Sequence, residues 1–263
     1  MPPKSATNAE RTRERILQAT ERLFLEHGFD GTSLRLITAA AGVNLGAVNY
    51  HFGSKDALFE AMLARRLDPL HAARLALLDE YQAAGQRPLS CEQLLAALFK
   101  PALALAREAS PHCDFLRLLG RAYVDPSPVL RKLLAERYAP AIARFKDAFA
   151  EALPQLSRQE LSWRLHFMMG ALAYTLAGAD AWRLIAAIQP EAERDDELLL
   201  RRLTPFLLAG LQAPAPLLDD ESRTTPHRAA SPEESRRWFF MYCSPSFSPD
   251  ASCSACRRSG GRC

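Results

Sequence analysis

The 263-residue sequence lacks a long apolar run. Its longest uncharged apolar stretch, residues 167–179, ends at Asp180 and is too short to cross a bilayer. The first fifteen residues are polar and contain no apolar segment of the kind that directs secretion. We therefore expect a cytoplasmic protein without a membrane partner.

An excess of one charge is also missing. The chain carries 33 basic and 30 acidic side chains, a net charge of +3, so charge by itself does not indicate nucleic-acid binding. β-Branched residues are sparse and alternating runs are absent, whereas leucine and alanine dominate. This composition is typical of an all-α protein, and the length allows one or two domains with a sizeable core.

Familiar catalytic motifs are absent as well, because the sequence has no HExxH, phosphate-binding loop or hydrolase elbow. Only the cysteines suggest chemistry. Cys253 and Cys256, with Cys243 and Cys263 nearby, have the spacing of a redox or zinc site, but no histidine flanks them. We expect neither an enzyme nor a cofactor or metal, and we keep a cysteine-based redox or zinc protein as the least favoured alternative.

The most informative stretch begins with a short helix predicted over residues 33–41. Leu34, Ile37 and Ala41 recur at positions i, i+3 and i+7, which places them on one helix face. Gly42 follows directly, where a tight turn needs a positive φ or a close backbone approach. The pattern therefore predicts a helix that ends in a glycine turn.

A second short helix is predicted immediately after that turn. Asn44 occupies the position of an N-cap. Leu45, Val48 and Phe52 again recur at i, i+3 and i+7, and we expect them to form the buried face. Two short helices joined by a three- to four-residue turn with glycine form a helix-turn-helix.

The other face of the second helix carries residues suited to contact DNA: Gly46, Ala47, Asn49, Tyr50 and His51. The two small residues permit deep seating in the major groove, and an alanine methyl can contact thymine. The amide of Asn49 suits an adenine edge, whereas Tyr50 and His51 suit phosphates. Lys55 begins the next helix after the predicted N-cap Ser54, where we expect it to hold a phosphate.

The segment GVNLGAVNYHFGSKDAL resembles the DNA-reading segment of the TetR family of bacterial transcriptional repressors, and residues 10–60 follow that pattern. The resemblance implies an all-helical homodimer that binds double-stranded palindromic operator DNA and a small effector. It also implies that four residues face the bases and three face the backbone. With the cap and Gly46, the predicted DNA-binding set is Arg35, Asn44, Leu45, Gly46, Ala47, Asn49, Tyr50, His51 and Lys55. Many family members carry an aromatic residue at the position of Asn49, so the operator sequence is not transferable.

We predict four segments. Residues 1–8 form a disordered arm, residues 9–54 the helix-turn-helix domain, and residues 55–212 the ligand-binding and dimerisation domain. From residue 213 the composition shifts to proline, serine, arginine and cysteine, which predicts a disordered tail. The last two predicted helices carry a small-residue stripe and surplus leucines, and with the family resemblance these features favour a dimeric four-helix bundle.

Three segments, SLRLITAAAGVNLGAVNYHFGSK, FLRLLGRAY and WRLHFMMGALAY, resemble a TetR branch of PsrA-type regulators. That resemblance implies a response to a long-chain fatty acid or its thioester, such as an acyl-CoA, and control of lipid metabolism genes. Methionines adapt to flexible alkyl chains, and arginine or histidine suits a carboxylate. The predicted ligand-binding residues are Phe115, Arg117, Arg121, His166, Phe167, Met168 and Tyr174. The alternative is that these aromatics and methionines are ordinary core and the arginines form surface ion pairs.

The sequence thus predicts a ligand-responsive DNA-binding repressor. A helical adaptor that dimerises and binds protein without reading DNA is the main alternative from another class.

Overall fold

The computed structural model describes residues 8–85, 87–108, 114–176 and 196–215. Within these ranges every regular element is an α-helix, so the predicted all-α class is confirmed. The helices are α1 (Asn8–Gly31), α2 (Leu34–Ala41), α3 (Leu45–Phe52), α4 (Lys55–Ala83), α5 (Cys91–Glu108), α6 (Phe115–Val124), α7 (Pro128–Ala152), α8 (Arg158–Leu176) and α9 (Asp196–Gln212). None of these helices has the length and apolar character that a bilayer span requires. Residues 1–7 of the predicted arm and residues 216–263 of the predicted tail, with its cysteines, lie outside the described residues, whereas Asn8, which we predicted in the arm, begins α1.

Helices α1 to α3 form a small head on one apolar core. Helix α1 packs against both α2 and α3. Ile16 and Phe24 from α1, Ile37 from α2 and Val48 from α3 are all fully buried. Gly28 interrupts α1 with φ 71° and ψ −173°. Ile37 and Val48 are thus buried, as the apolar spacing in the sequence predicts.

Helix α4 is shared by the head and the remaining helices, which we call the body. It packs against α1 and α3 at one end and against α5 and α7 farther along. Phe59 meets Phe24 and Phe29 edge to face, with ring centroids 5.7 and 4.7 Å apart. Leu67, Leu70 and Leu78 continue the buried side. Pro69 lies inside this single helix and does not divide it.

The body is closed by α6 packed on α8 and by α9 packed on α5 and α8. Arg164 of α8 is 7% exposed and fixes the end of α9. Its guanidinium donates to the carbonyls of Leu211 (2.8 Å), Ala213 (2.6 Å) and Pro214 (3.1 Å), which belong to the terminal turn and the residues after it. The buried guanidinium thereby donates hydrogen bonds to carbonyls at the helix C-terminus, which have no N–H partner within the helix.

Two helix starts in the body depart from the usual capping pattern. Helix α7 begins at Pro128, but the side chain of the preceding Ser127 makes no capping hydrogen bond, and its buried Oγ has no hydrogen-bond partner. Ser157 does accept the Glu160 N–H at 3.1 Å. The Glu160 carboxylate, however, accepts from Arg164 Nε at 2.8 Å and so does not complete a capping box with Ser157. Arginine competes for this carboxylate because a charged donor binds more strongly than a backbone amide.

A polar cluster joins α4 to α7. Asp68 accepts two hydrogen bonds from Arg137 (2.8 and 2.6 Å) and one from the Tyr138 hydroxyl (2.9 Å). The hydrogen bond from Arg137 is the main reason that the pKa of Asp68 is lowered. His71 stacks on the Tyr138 ring with centroids 4.0 Å apart. Burial, and then the charge of Arg74, lower the pKa of His71 from 6.5 to about 3.

We therefore expect His71 to make folding sensitive to mild acid. Between pH 6.5 and 3 the unfolded chain binds a proton at this imidazole and the folded chain does not, so stability falls as pH falls. From pH 7 to pH 5 the contribution is about 2 kcal/mol. Denaturant unfolding at pH 5, 6 and 7 should show a shallower pH dependence for His71→Gln than for the native chain. The exposed His27→Gln is the matched control, and equal slopes for all three proteins would contradict the assignment.

Candidate nucleic-acid interface

The turn between α2 and α3 is closed by backbone hydrogen bonds. Ser33 Oγ accepts the Leu36 N–H at 3.2 Å and starts α2. Gly42 ends it with φ 62° and ψ 43°, a left-handed conformation that side chains with a Cβ rarely adopt. The Val43 N–H then donates to the Thr38 carbonyl at 3.0 Å. The glycine turn predicted from the sequence is present.

Helix α3 is held at its start and at its middle. Asn44 Oδ1 accepts the Ala47 N–H at 2.9 Å, so this side chain is the predicted N-cap. Val48 is completely buried and is the residue of α3 that anchors it in the core. A Cβ on Gly46 would lie 3.3 Å from Asn44 Oδ1, which is a tight contact. Small size at position 46 therefore serves the cap as well as the outward surface.

The free side of α3 forms an outward row. Tyr50 is 84% exposed and Leu45 51% exposed. Gly46 and Asn49 are exposed too, while Ala47 and His51 are partly exposed. Placing Leu45 on the buried stripe was wrong, because its side chain is largely exposed in the first turn of α3, where the core does not cover it. Its exposure agrees instead with the position facing DNA that the family resemblance implied.

Cations flank this row on two other helices. Arg35 of α2 is exposed, as its predicted role requires. Arg13 and Arg15 of α1 are exposed as well, and sequence reasoning did not select them. The Arg13 guanidinium lies over the Phe52 ring, 5.3 Å from its centroid, and Arg15 Nη1 approaches Gly42. The sequence signal was the cluster of three arginines at positions 11, 13 and 15.

Lys55 differs from its expected contact with a phosphate. Its Nζ donates to the Phe29 carbonyl at 2.7 Å and lies 4.3 Å from the centroid of the Phe29 ring. The ammonium is therefore directed toward the end of α1. A carbonyl that the Gly28 kink leaves accessible, together with an aromatic face, attracts the cation inward.

The predicted ligand-binding residues do not converge on one site. Phe115 and Met168 are buried in the body, 4% and 5% exposed. Arg117 is exposed, and Arg121 lies beside Asp125 with Nε 3.9 Å from the carboxylate, at the junction with the head. The apolar periodicity of these helices did not reveal which face packs on the core. The predicted ligand-binding residues therefore included both buried and exposed side chains.

Two aromatic residues of that set point outward from α8. Phe167 is 63% exposed and Tyr174 is 50% exposed. With Trp163 and the exposed Gly170 they form a stripe at helical spacing, and the rings of Trp163 and Phe167 stack with centroids 5.8 Å apart. His166 adjoins this stripe, with its ring centroid 6.2 Å from that of Trp163.

Helix α9 continues this apolar surface. It packs on α8 and exposes Phe206 (66%) and Leu198 (45%), while Leu207 is buried. The expectation that α9 carries more apolar surface than one neighbour covers therefore agrees with the described part of the helix. Of the predicted small-residue stripe, Gly170 is exposed and Ala173 is buried, while Ala177 lies outside the described residues.

The four cysteines of the redox or zinc alternative lie outside the described residues, which include Cys91. Cys91 is buried, and burial followed by the charge of Glu92 raises the pKa of its thiol, which makes it a poor nucleophile. Among the described residues no cluster of histidine, cysteine and carboxylate side chains suits a metal ion.

Comparisons with known proteins agree with this geometry. Residues 16–62 match the family described as bacterial regulatory proteins, tetR family, and residues 96–210 match the family described as tetracyclin repressor-like, C-terminal domain. The HTH-type transcriptional repressor Rv3405c of Mycobacterium tuberculosis (strain ATCC 25618 / H37Rv) is 33% identical over 195 residues, which cover 74% of this chain and 84% of the relative.

Two solved structures share the fold. HlyIIR, a hemolysin II transcriptional regulator, has a TM-score of 0.50 and 19% identity over 76% of this chain and 99% of its own. AmtR of Mycobacterium smegmatis has a TM-score of 0.50 and 20% identity over 82% of this chain and 92% of its own. With a helix-turn-helix whose second helix presents a free polar face, the chain belongs to the TetR family of bacterial regulatory proteins, and it is a DNA-binding transcriptional regulator and not an enzyme.

Proposed function

We propose that this chain is a homodimeric repressor that reads a palindromic operator and leaves it when an apolar, anionic effector binds the body. The observation that carries the proposal is the anchored helix α3, whose single buried residue and N-cap leave one whole side free for a major groove. Recognition helices of this kind enter the groove with their N-terminal residues against the bases.

Each outward residue of α3 has a chemical role in this proposal. Gly46 and Ala47 allow close approach, and the Asn49 amide suits the N6 and N7 edge of adenine. Tyr50 and His51 reach phosphate oxygens, with the exposed Arg35 and Arg13 at the sides. Because the chain has almost no net charge, these few cations supply most of the attraction to DNA.

The outward stripe of α8 and α9 supports a second copy of the chain as its partner. Phe167, Tyr174 and Phe206 are exposed aromatic side chains on two helices that pack together. A large exposed apolar patch on a protein surface is typical of an interaction site. A two-fold axis through this stripe joins four helices and brings two heads together. The recognition helices must then lie roughly 34 Å apart to enter successive major grooves.

The proposed effector is a long-chain fatty acid or an acyl thioester such as acyl-CoA, which implies control of lipid metabolism genes. The support is the resemblance of three segments to PsrA-type regulators. Burial of a methylene contributes about 0.8 kcal/mol, so a chain of ~16 carbons supplies up to about 12 kcal/mol before ordering costs. Reversing a two-state equilibrium requires about 5.5 kcal/mol of differential affinity, which is within that range.

Arg74, in place of Arg117 and Arg121, is the residue proposed to bind the acidic group of the effector. It lies on α4, is 4% exposed and donates to the Leu98 carbonyl (3.0 Å) and the Tyr123 hydroxyl (3.1 Å). Both partners are neutral, and among the described residues no carboxylate forms an ion pair with Arg74. A buried guanidinium without a counter-ion attracts an anion strongly. Because α4 also carries the head, an anion held here acts on the helix that positions α3.

The docking of α3 predicts a large effect of Ala47→Glu. A carboxylate in the groove opposes the phosphates and removes the close approach, so operator affinity should fall by on the order of 100-fold. Operator affinity is measured by fluorescence anisotropy on a labelled duplex of the intergenic DNA beside the gene, and the measurement is repeated over a range of salt concentrations. Ala84→Glu, the same change at the exposed end of α4, is the control. Retained affinity in Ala47→Glu would discredit this docking, and equal weak binding to every duplex would support the adaptor alternative.

The proposed dimer surface predicts that Phe167→Glu combined with Phe206→Glu yields a monomer, because two carboxylates must lose water at the two-fold axis. Light scattering during gel filtration gives the mass directly. Ile142→Glu on α7, which changes another exposed apolar residue (42% exposed), should remain dimeric. A double variant that keeps the dimer mass would exclude this surface.

The effector proposal predicts that hexadecanoate, but not hexadecan-1-ol, releases the native chain from operator DNA. Arg74→Met should lose this preference for the acid, whereas Arg74→Lys should keep part of it because the charge remains. Arg117→Met, at an exposed position, is the control and should respond as the native chain does. Native mass spectrometry of the protein from its host tests the ligand class independently, and a co-purified polar metabolite would contradict a lipid effector.

A further inference from the structure

The most constrained point between head and body is the Gly28–Phe29 peptide of α1. Gly28 leaves the helical conformation with φ 71°, and its carbonyl accepts from the Thr32 hydroxyl at 2.7 Å. A Cβ at position 28 would lie 2.5 Å from Arg121 Nη2 and 2.8 Å from Asp125 Oδ2. Glycine is therefore required here both for the backbone angle and for the close approach of the body.

The body reaches this kink through Asp125, at the end of α6. Asp125 Oδ2 accepts the Phe29 N–H at 3.1 Å, across 96 residues of sequence. Its other oxygen, Oδ1, accepts the Ser127 N–H at 3.0 Å and so fixes the turn into α7. The carboxylate is 2% exposed, and Arg121 Nε lies 3.9 Å from Oδ2. One buried carboxylate thus joins α6, α7 and the end of α1.

The head holds the same residue from the other side. The Phe29 carbonyl accepts from Lys55 Nζ, and Lys55 is the first residue of α4 after the helix-turn-helix. The Phe29 ring packs edge to face on Phe59 of α4, and the lysine ammonium lies over it. Asp125, Phe29 and Lys55 therefore form a continuous chain of hydrogen bonds from the end of α6 to the start of α4.

We propose that Asp125 is a positioning residue for operator recognition: through Phe29 it fixes the start of α4, and with it α3, relative to the body that forms the dimer. This inference rests on the proposed function and adds a specific residue far from the DNA. The ion pairs of Glu21 with Arg65 and Arg66 join α1 to α4, the helix that head and body share, whereas the hydrogen bond between Phe29 and Asp125 sets the angle between α1 and the body helices α6 and α7. Asp125 is attached to the body, so its hydrogen bond does constrain that angle.

If Asp125 fixes the angle between head and body, the protein should distinguish palindromes that differ in the spacing of their half-sites. Two heads held at one separation bind a palindrome of matching half-site spacing and lose affinity when one base pair is inserted or deleted between the half-sites, since each base pair changes both distance and rotation. Heads with a free angle tolerate the change. Binding of one head to an isolated half-site does not depend on the angle at all.

The test uses the full-length chain and fluorescence anisotropy on four duplexes: the footprinted palindrome, the same palindrome lengthened or shortened by one base pair, and a single half-site. The variants are Asp125→Ala and the conservative Asp125→Asn, which keeps the shape and one acceptor oxygen. The matched control is Asp79→Ala, because the exposed Asp79 carboxylate joins α4 to Arg144 of α7 inside the body.

We expect the native chain and the control to prefer the native spacing by about 10-fold or more, and Asp125→Ala to reduce that preference to under about 3-fold with half-site affinity unchanged. Asp125→Asn should be intermediate, and it keeps the test decisive if the alanine variant does not fold. Undiminished spacing preference in both variants would overturn the inference. Parallel loss of half-site binding and thermal stability would also overturn it, since that result indicates a purely structural role. A native chain that binds no duplex specifically would instead refute the proposed function itself.

Discussion

The structure depends on the continuous burial of one side of α4. Phe59 packs with Phe24 and Phe29 in the head, and Leu67, Leu70 and Leu78 carry the same buried side into the body. A helix of eight residues such as α3 is not stable alone, because helix nucleation costs more than its few hydrogen bonds return. The recognition helix therefore exists only because α1, α2 and α4 enclose Val48. For the same reason, the position of α3 follows any movement of α4.

Buried polar groups determine how the helices are oriented around that apolar seam. Arg164 holds the end of α9, and Asp125 joins α6 to the kink in α1. Apolar packing tolerates small rotations, whereas a buried carboxylate or guanidinium that loses its partner is strongly unfavourable. These contacts therefore select one geometry among several that bury similar apolar area. For the proposed homodimer, whose two heads must match a spacing on DNA, that selection is directly relevant to function.

The outward surfaces separate into two chemical kinds. Around α3 the exposed groups are an amide, a phenol, an imidazole and flanking guanidinium groups, which suit bases and phosphates. Along α8 and α9 they are Phe167, Tyr174, Leu198 and Phe206, which suit another apolar surface. The contrast supports a division of labour in which one end of the chain reads DNA and the other pairs with a second copy. The buried Arg74 lies on α4, the helix that the head and the body share.

The sequence by itself determined the head and the all-α class. The spacing of Leu34, Ile37 and Ala41, the turn at Gly42 and the cap at Asn44 are local signals, since each acts within one or two helical turns, and the structure contains all of them. Tertiary structure alone decided which side of α8 is buried, where Lys55 directs its ammonium, and that Arg121 belongs to the head junction. Lys55 contacts Phe29 across 26 positions and Asp125 contacts Phe29 across 96, and no periodicity in the sequence encodes such a pairing. Local hydrogen bonding and helical spacing are readable from the chain, whereas partners across the core are fixed only when the helices pack.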